Sequence, residues 1–220
     1  MLEAINKIEN LERIRLSSIE PTIITEEFLA RLTKLEKICE HFHLSLQSGC
    51  DETLQRMNRR YTINEFEKGA ELLRKAYPNV ALTTDIIVGF PGETEEEFEK
   101  TYEFLKRIKF FQMHIFKYSP RKGTKAASME NQVSPNIKEG RSKCLIELSA
   151  ENEKEFMSKF IGKKLPILFE QNENGYMVGH TTNYLKVGVK DDNINENTIK
   201  LVEITEIKNG ILVGCLNNIY

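Results

Sequence analysis

Polar and glycine-rich segments follow each of four short β-prone runs, and they hold the residues best suited to bind a ligand. These segments are residues 17–20, 47–49, 85–92 and 118–121. In parallel α/β sheets and barrels the carboxyl ends of the strands meet at one edge, and ligands bind there. The sequence therefore predicts a ligand site built from four successive strand ends.

Three side chains of the second and third strand ends carry specific chemistry. Gln47 and Ser48 offer neutral donors and acceptors that suit a ribose or an amino-acid head group, with a structural turn around Gly49 as the alternative. Asp85 lies inside an apolar run, where an unpaired carboxylate costs several kcal/mol. We expect Asp85 either to face the mouth of the sheet or to have a partner.

Glycines and arginines near these strand ends each have a functional and a structural interpretation. Gly89 and Gly92 allow the backbone to approach a flat ligand closely, although a simple turn at Pro91 explains them almost as well. Arg59 and Arg60 could clamp a carboxylate in a bidentate manner. Solvated arginines are the alternative.

Basic residues concentrate in the segment 117–125, which contains no acidic residue. Its members are Lys117, Arg121, Lys122 and Lys125. Because the segment lies at the predicted mouth, it is the best candidate for phosphate contact. The last third of the chain adds Lys163, Lys164, Lys186, Lys190 and Lys200, which a similar number of acids offsets. Tyr184 could stack on a base, although tyrosines of small barrels more often lie in the core.

The composition restricts the class of protein. A formal net charge of −2 and an isoelectric point near 6.2 argue against a generic nucleic-acid binder, so a polyanion would have to meet a local basic patch. No apolar run is long enough for a membrane span. The first ten residues have no signal-peptide core, so we expect a cytoplasmic protein.

The possible metal ligands show no spacing that predicts a metal site. The four cysteines are Cys39, Cys50, Cys144 and Cys215. They form neither a CxxC nor a CxxxCxxC set, and we interpret them as thiols in a reducing compartment. His41 and His43 are interpreted as structural, on the expectation that they alternate across a strand and cannot share one metal ion.

The elements that position these residues alternate along the first two thirds of the chain. Predicted strands cover residues 13–17, 42–46, 80–88 and 111–118, and each precedes an amphipathic helix. Such alternation implies parallel pairing with right-handed crossovers. Four strand–helix units are too few to close a barrel, and strand 13–17 would remain an open edge. We expect an α/β fold that forms part of a larger barrel whose earlier units are absent.

The sequence pattern changes after residue 160, where the alternation of strands and helices ends. Five short β-rich runs, separated by turn signals such as Asn174-Gly175 and Asn209-Gly210, occupy about 60 residues. They predict a small OB-like barrel, an architecture that commonly binds nucleic acid. The predicted domains are therefore 1–160 and 161–220.

Four segments together resemble the radical-SAM methylthiotransferase family. They read LQSG at 46–49, MNRRY at 57–61, TDIIVGFPGET at 84–94 and YSPRKGT at 118–124. The resemblance covers essentially the whole chain in order. Residues 161–220 resemble the TRAM domain that this family uses on RNA.

Two further segments resemble one branch of that family. Residues 15–21 and 179–187 are most similar to the branch that methylthiolates N6-threonylcarbamoyladenosine beside the anticodon of tRNA. This resemblance implies the tRNA anticodon stem-loop and S-adenosylmethionine as partners, a reductant protein for the clusters, and no membrane.

The resemblance also implies a mechanism. One 4Fe–4S cluster cleaves S-adenosylmethionine reductively, the resulting radical abstracts the hydrogen at adenine C2, and a second cluster helps to deliver the methylthio group. Cysteines of the family's N-terminal domain and early barrel hold both clusters, and none of the four cysteines here matches them. We therefore expect this chain to be the C-terminal part of the enzyme and to be inactive alone.

The resemblance assigns part of the S-adenosylmethionine site to this chain. It implies that Gln47 and Ser48 meet the ribose or amino-acid moiety and that Arg59 meets the carboxylate. The strand 85–89, with Asp85, Ile87 and Gly89, is expected beside the adenine, and Glu20 is a further neighbour. Two alternatives remain: a stand-alone RNA-binding module, or a methylthiotransferase acting on a ribosomal-protein aspartate or on isopentenyladenosine tRNA.

Overall fold

The computed structural model describes residues 1–191 and 193–216. Residues 192 and 217–220, which belong to the predicted second domain, lie outside the described residues. Within the described ranges the chain forms a four-stranded parallel sheet covered by helices and a closed five-stranded barrel. The α/β fold class predicted from the sequence is confirmed.

The parallel sheet contains the four predicted strands in the order β1-β2-β3-β4. They are β1 (Ile14–Ile19), β2 (Ile38–Leu44), β3 (Ala81–Val88) and β4 (Gln112–Lys117). All three pairings are parallel. The second strand begins four residues before its predicted start, because Ile38 and Cys39 are already buried in the sheet. It ends at Leu44 because the tertiary contacts of the next three residues, described below, remove them from the strand.

The helices cover one face of this sheet. They are α1 (Leu2–Ile5), α2 (Glu26–Leu32), α3 (Asp51–Arg56), α4 (Ile63–Ala76), α5 (Glu95–Ile108) and α6 (Pro135–Ser158). Local chemistry sets their starts: Thr62 and Thr94 each form a reciprocal capping box with the glutamate three residues later. The Ser134 hydroxyl accepts from the amide of Ile137, and the helix begins with Pro135, which has no amide hydrogen to satisfy.

The covered face is apolar and the opposite face is open. Phe42, Phe66 and Phe110 are fully buried between the sheet and its helices, and each contributes roughly 2–3 kcal/mol through burial of its ring. On the opposite face Asp85 is half-buried and His114 is exposed. We call this second surface the open face. None of the helices in the described part of the chain is both long enough and apolar enough to cross a bilayer.

The five remaining strands close into a barrel in the order β5-β6-β7-β9-β8. They are β5 (Lys164–Glu173), β6 (Tyr176–His180), β7 (Lys186–Val189), β8 (Thr198–Lys208) and β9 (Ile211–Leu216). β7 and β9 pair in parallel, and the other neighbours are antiparallel. The five predicted strands are confirmed. The domain boundary near residue 160 stays a prediction, because Phe111 and Phe160 share one hydrophobic core with the barrel.

The barrel packs against the amino ends of the sheet strands. Arg13 donates to the carbonyl oxygens of His180 (2.7 Å) and Pro166 (3.0 Å). The ring of Tyr184 lies between those of His41 and His180, with centroid separations of 4.7 and 4.8 Å. The carboxyl ends of the strands are at the other end of the sheet.

We expect this contact to weaken at mildly acidic pH. Burial lowers the pKa of His41 to about 4, and the Arg15 guanidinium adds to the effect. An unfolded histidine binds its proton near pH 6.5, so the unfolded chain gains a proton that the folded chain refuses. Between pH 7 and pH 5 the free energy of unfolding should therefore fall by about 2 kcal/mol from this residue.

Urea unfolding at both pH values measures the effect. His41→Phe keeps a ring against Tyr184 and removes the titration, so its free energy of unfolding should fall by about 2 kcal/mol less than that of the parent. An equal fall in the two proteins would contradict the assignment.

Candidate functional site

A sharp turn after β2 forms one wall of the candidate site. Gln47 has a backbone φ of 70°. Its amide donates to the carbonyl oxygen of Asp85 (2.9 Å), and its own carbonyl accepts from the amide of Ile87 (2.9 Å). The turn therefore attaches to β3 and presents the Gln47 side chain beside Asp85 and Ile87.

Tyr61 stabilises the start of that turn through hydrogen bonds to the backbone. Its hydroxyl donates toward the carbonyl oxygens of Ser45 (2.6 Å) and Leu46 (2.9 Å). Burial raises the pKa of Tyr61 to about 12, so the hydroxyl remains a donor across the physiological range. Because these two carbonyl groups bond to Tyr61 rather than to a neighbouring strand, β2 stops before them.

A cavity of about 600 Å³ opens at the carboxyl ends of β3 and β4. Gln47, Asp85, Ile87, Phe116 and Arg121 are among the residues that line it. Its volume falls within the range of small-molecule sites. Apolar walls from Ile87 and Phe116 with amide and carboxylate groups at the margin suit a flat heterocycle that carries a polar ribose.

Ser48, although adjacent to Gln47, faces the protein interior. It is 1% exposed, its hydroxyl lies 3.4 Å from that of Thr101 in α5, and it accepts from the amide of Cys50. The structure does not bring this side chain to the cavity. The two neighbouring side chains point in different directions because the backbone is left-handed at Gln47.

Arg59 and Glu20 lie beside the turn without lining the cavity. Both act on the Tyr61 hydroxyl: after burial, the main cause, Arg59 lowers its pKa and Glu20 raises it. Glu20 is exposed at the end of β1, and Arg59 is half-buried. They flank the same wall from the side of β1 and α3.

The glycine-rich segment after β3 is held from inside the protein. Gly89 has a φ of +70°, and a Cβ there would lie 2.4 Å from the Lys138 side chain of α6. Its amide donates to Glu93 Oε1 at 2.9 Å, and Arg141 Nη1 donates to the same oxygen at 2.6 Å. Burial raises the pKa of the Glu93 carboxyl, while the Gly89 amide and the Arg141 guanidinium oppose the rise. Sequence reasoning missed the role of Arg141, because no local signal links α6 to this turn.

The predicted RNA-binding residues separate into paired and unpaired groups. Lys117 and Lys186 lie 2.6 Å from the carboxylates of Glu139 and Glu173, respectively. Lys164 lies 4.0 Å from Glu203.

Two further predicted contacts lie against aromatic rings. The Lys163 ammonium lies over the ring of Phe160. Tyr184 lies in the stack between the barrel and the sheet, although 39% of it stays exposed.

Arg121, Lys122 and Lys125 are exposed, and their side chains make no ion pair with the described residues. We call these three residues the basic loop. The loop lies at the rim of the cavity, since Arg121 is one of its lining residues.

The cysteines do not fit an iron–sulfur cluster. Cys39 is buried in β2, Cys50 is buried before α3 with its thiol directed at Glu52, and Cys144 and Cys215 lie on α6 and β9. Across residues 1–191 and 193–216, no three cysteines approach one another closely enough to share a metal centre.

The interpretation of His41 and His43 is corrected by the structure. Side chains two residues apart on a strand point to the same face, and both rings lie 3.1 Å from the Thr83 hydroxyl. His43 also approaches Asp85, with 3.4 Å between Nε2 and Oδ2. His114 of β4 completes a group of three metal-ligating side chains that sequence reasoning missed. The alternation of β2 and β4 is the signal that could have revealed it.

Comparisons with known proteins give the class first. Residues 1–105 match the radical SAM superfamily. Among solved structures, coproporphyrinogen III oxidase from Escherichia coli, described as a radical SAM enzyme, superimposes with a TM-score of 0.54 at 19% identity, over 64% of this chain and 32% of that chain. This similarity supports the parallel α/β fold alone.

Curated relatives narrow the class. The threonylcarbamoyladenosine tRNA methylthiotransferase MtaB of Bacillus subtilis is 44% identical over 211 residues, which are 93% of this chain and 46% of the relative. The tRNA-2-methylthio-N(6)-dimethylallyladenosine synthase of Caldicellulosiruptor saccharolyticus is 41% identical over 86% of this chain and 41% of the relative. The chain belongs to the radical-SAM methylthiotransferase family. It spans less than half the length of these two relatives.

Proposed function

We propose that this chain is the part of a tRNA methylthiotransferase that holds the distal portion of S-adenosylmethionine and contacts the RNA. In this proposal the complete protein adds a methylthio group to C2 of N6-threonylcarbamoyladenosine beside the anticodon. The observation that carries the proposal is the cavity at the carboxyl ends of β3 and β4, walled by the Gln47 turn. A tRNA-modifying enzyme works where tRNA is found, so the proposal places the protein in the cytoplasm.

The residues at the cavity fit S-adenosylmethionine. Ile87 and Phe116 offer apolar contact to the adenine, Gln47 offers hydrogen bonds to the ribose, and Asp85 can accept from either. Gly89 follows the same strand, and we assign Arg59 and Glu20, which lie beside the Gln47 turn, to the amino-acid end of the molecule. We leave Ser48 out of the contact set because its hydroxyl is buried against Thr101.

The cysteines indicate which steps we assign to this chain and which to other parts of the complete protein. When bound, S-adenosylmethionine supplies the radical that removes hydrogen from the substrate adenine, a step that needs an electron from a 4Fe–4S cluster. The cysteines of this chain do not fit such a cluster, so we assign the two clusters, and the docking of a reductant protein, to other parts of the complete protein. In this proposal the described residues bind, orient and shield S-adenosylmethionine and the RNA. They are inactive alone.

The branch rests on relative similarity. The Bacillus subtilis relative, whose name specifies threonylcarbamoyladenosine, matches 93% of this chain at 44% identity. The Caldicellulosiruptor saccharolyticus relative, whose name specifies dimethylallyladenosine, is 41% identical over 86% of this chain. This margin favours the threonylcarbamoyl branch and makes the dimethylallyl substrate the second candidate.

A chimera tests activity and branch together. We would replace the matching segment of the Bacillus subtilis relative with this chain, reconstitute the clusters anaerobically, and analyse digested tRNA by mass spectrometry. The expected product is the methylthio derivative of threonylcarbamoyladenosine. The unaltered relative is the positive control. A methylthio adduct only on dimethylallyladenosine, also called isopentenyladenosine, would overturn the branch assignment. No adduct from a chimera with intact clusters would overturn the proposed function.

The basic loop provides an independent prediction about RNA. Changing Arg121, Lys122 and Lys125 together to glutamine should weaken binding of an anticodon stem-loop. The slope of log affinity against log salt should become shallower by about 2–3, since each neutralised phosphate contributes about one unit. Fluorescence anisotropy at several salt concentrations measures both effects.

The matched control changes three exposed lysines away from the cavity. These are Lys7, Lys34 and Lys75. The control variant keeps the same net charge as the basic-loop variant. Equal losses in the two variants would show that only total charge matters and would remove the basic loop from the RNA site.

A further inference from the structure

Three side chains of types that ligate metals converge on the open face, and one of them, Asp85, also lines the cavity. His43 of β2, Asp85 of β3 and His114 of β4 each place one ligand atom within 4.8 Å of the other two. The strand register explains the convergence: Asp85 pairs with His114, and His43 pairs with Thr83, two residues before Asp85. Three adjacent parallel strands therefore contribute one side chain each to the same region of the open face.

We propose that His43, Asp85 and His114 bind a divalent transition-metal ion. Two imidazole nitrogens and one carboxylate oxygen form a ligand set found in catalytic zinc sites and in non-haem iron sites. Magnesium and calcium prefer oxygen ligands, so the set favours Zn²⁺, Co²⁺, Ni²⁺ or Fe²⁺. The proposal rests on these three side chains and does not depend on the proposed methylthiotransfer.

The separations approach those of an ion site. Two atoms that share a tetrahedral ion at about 2.1 Å lie about 3.4 Å apart, so a pair as far apart as 4.8 Å must close by about 1.4 Å. His43 Nε2 and Asp85 Oδ2 are already 3.4 Å apart. His114 is exposed, so a rotation of its side chain can supply the rest of the movement without repacking the core.

Thr83 positions the His43 ring. The Thr83 hydroxyl has one proton and lies 3.1 Å from both His43 Nδ1 and His41 Nε2, so at least one of the two imidazoles donates to it. When His43 donates through Nδ1, its Nε2 directs a lone pair toward Asp85. Metal-binding histidines are usually oriented by such a bond from the second ring nitrogen.

Three protein ligands leave coordination positions open. No helix of the described residues covers the open face, and Asp85 also lines the cavity at the strand ends. An ion held by the three side chains would therefore be accessible to an oxygen or nitrogen donor of a molecule in that cavity. The chemical class of ligand is a small molecule or nucleoside with such a donor.

Metal titration of the untagged 220-residue chain tests the proposal. After removal of metal by a chelator, Zn²⁺ binding is measured calorimetrically, and Co²⁺ binding is followed through its visible absorption, which reports the coordination number. We expect one ion per chain, with a Co²⁺ spectrum of low coordination number. Asp85→Asn, which preserves side-chain size, and His114→Asn, at an exposed position, should each lower the affinity at least tenfold, and Thr83→Val should lower it about tenfold by releasing the His43 ring.

His180→Gln is the matched control, because His180 pairs with Glu170 away from the cluster. Circular dichroism confirms that each variant is folded. Unchanged affinity in Asp85→Asn and His114→Asn would overturn the proposal, as would absence of one-to-one binding in the parent. Loss of binding in His180→Gln alone would assign the metal to the barrel surface and overturn it equally.

Discussion

Replacing Arg141 by methionine is expected to lower the free energy of unfolding by about 3–5 kcal/mol. Arg141 and Glu93 form an ion pair in which the two side chains are only 6% and 4% exposed. Arg141 Nη1 also donates to the Glu93 carbonyl oxygen at 3.2 Å, and Nη2 donates to Glu95 at 2.9 Å. Removing the guanidinium leaves a buried carboxylate without its counter-ion, and this desolvated charge is the cause of the large effect.

Two controls separate the buried pair from surface electrostatics. Lys109→Ala removes an ion pair of similar length, 2.6 Å to Glu155, in which both side chains are about half exposed. It should cost less than about 1 kcal/mol. The double variant Glu93→Leu with Arg141→Met removes both charges and should be more stable than Arg141→Met alone. A cost below about 1 kcal/mol for Arg141→Met in urea unfolding would show that the pair contributes no more than a surface one.

The same substitution should disturb the turn that follows β3. Glu93 Oε1 also accepts the amide of Gly89, so the orientation of the carboxylate sets the position of this glycine turn. Amide hydrogen exchange at Gly89 should accelerate in Arg141→Met and stay unchanged in Lys109→Ala. Equal protection of Gly89 in both variants would separate the ion pair from the turn.

Gly179→Ala should destabilise the barrel by about 3 kcal/mol or more, because the added Cβ would have no room. It would lie 2.0 Å from the carbonyl oxygen of Leu168 and 2.7 Å from the Cα of Phe169. Both atoms belong to the backbone of β5, which pairs with β6 at this point. A main-chain neighbour cannot rotate away, so the pairing of the two strands must open.

Gly140→Ala is the matched control for this substitution. Gly140 lies in α6, and a Cβ there would meet nothing within 4 Å. Alanine has the higher helix propensity, so this variant should be more stable by roughly 0.5–1 kcal/mol. Thermal unfolding compares the two: a melting temperature for Gly179→Ala at or above that of the parent would show that β5 can move, contrary to the close packing of the barrel.

Much of the fold was predictable because its signals are local. Thr62 and Thr94 predict the starts of two helices, because a capping box depends on residues three positions apart. Long β-prone runs separated by helices imply parallel strands through the handedness of the crossovers. Asn174-Gly175 marks a hairpin by its turn chemistry. Each of these inferences uses residues that are neighbours in the chain.

The end of β2 was mispredicted for a tertiary reason. The prediction extended the strand through residues 45 and 46, yet the Tyr61 hydroxyl donates to their carbonyl groups. The left-handed turn at Gln47 then separates two adjacent polar residues. Gln47 lines the cavity and Ser48 packs against α5. Nothing local distinguishes the two side chains.

The amino-acid sequence by itself determined the order of elements, the α/β class, the five-stranded barrel and the strand ends at which a site forms. Only the tertiary structure decided which polar side chains are free to act. It pairs Lys117 with Glu139, leaves the side chains of the basic loop without ion pairs among the described residues, and gathers His43, Asp85 and His114 from three strands. The physical reason is range: periodicity and capping act over a few residues, whereas ion pairing, burial and convergence depend on strand register and on contacts between residues far apart in the chain.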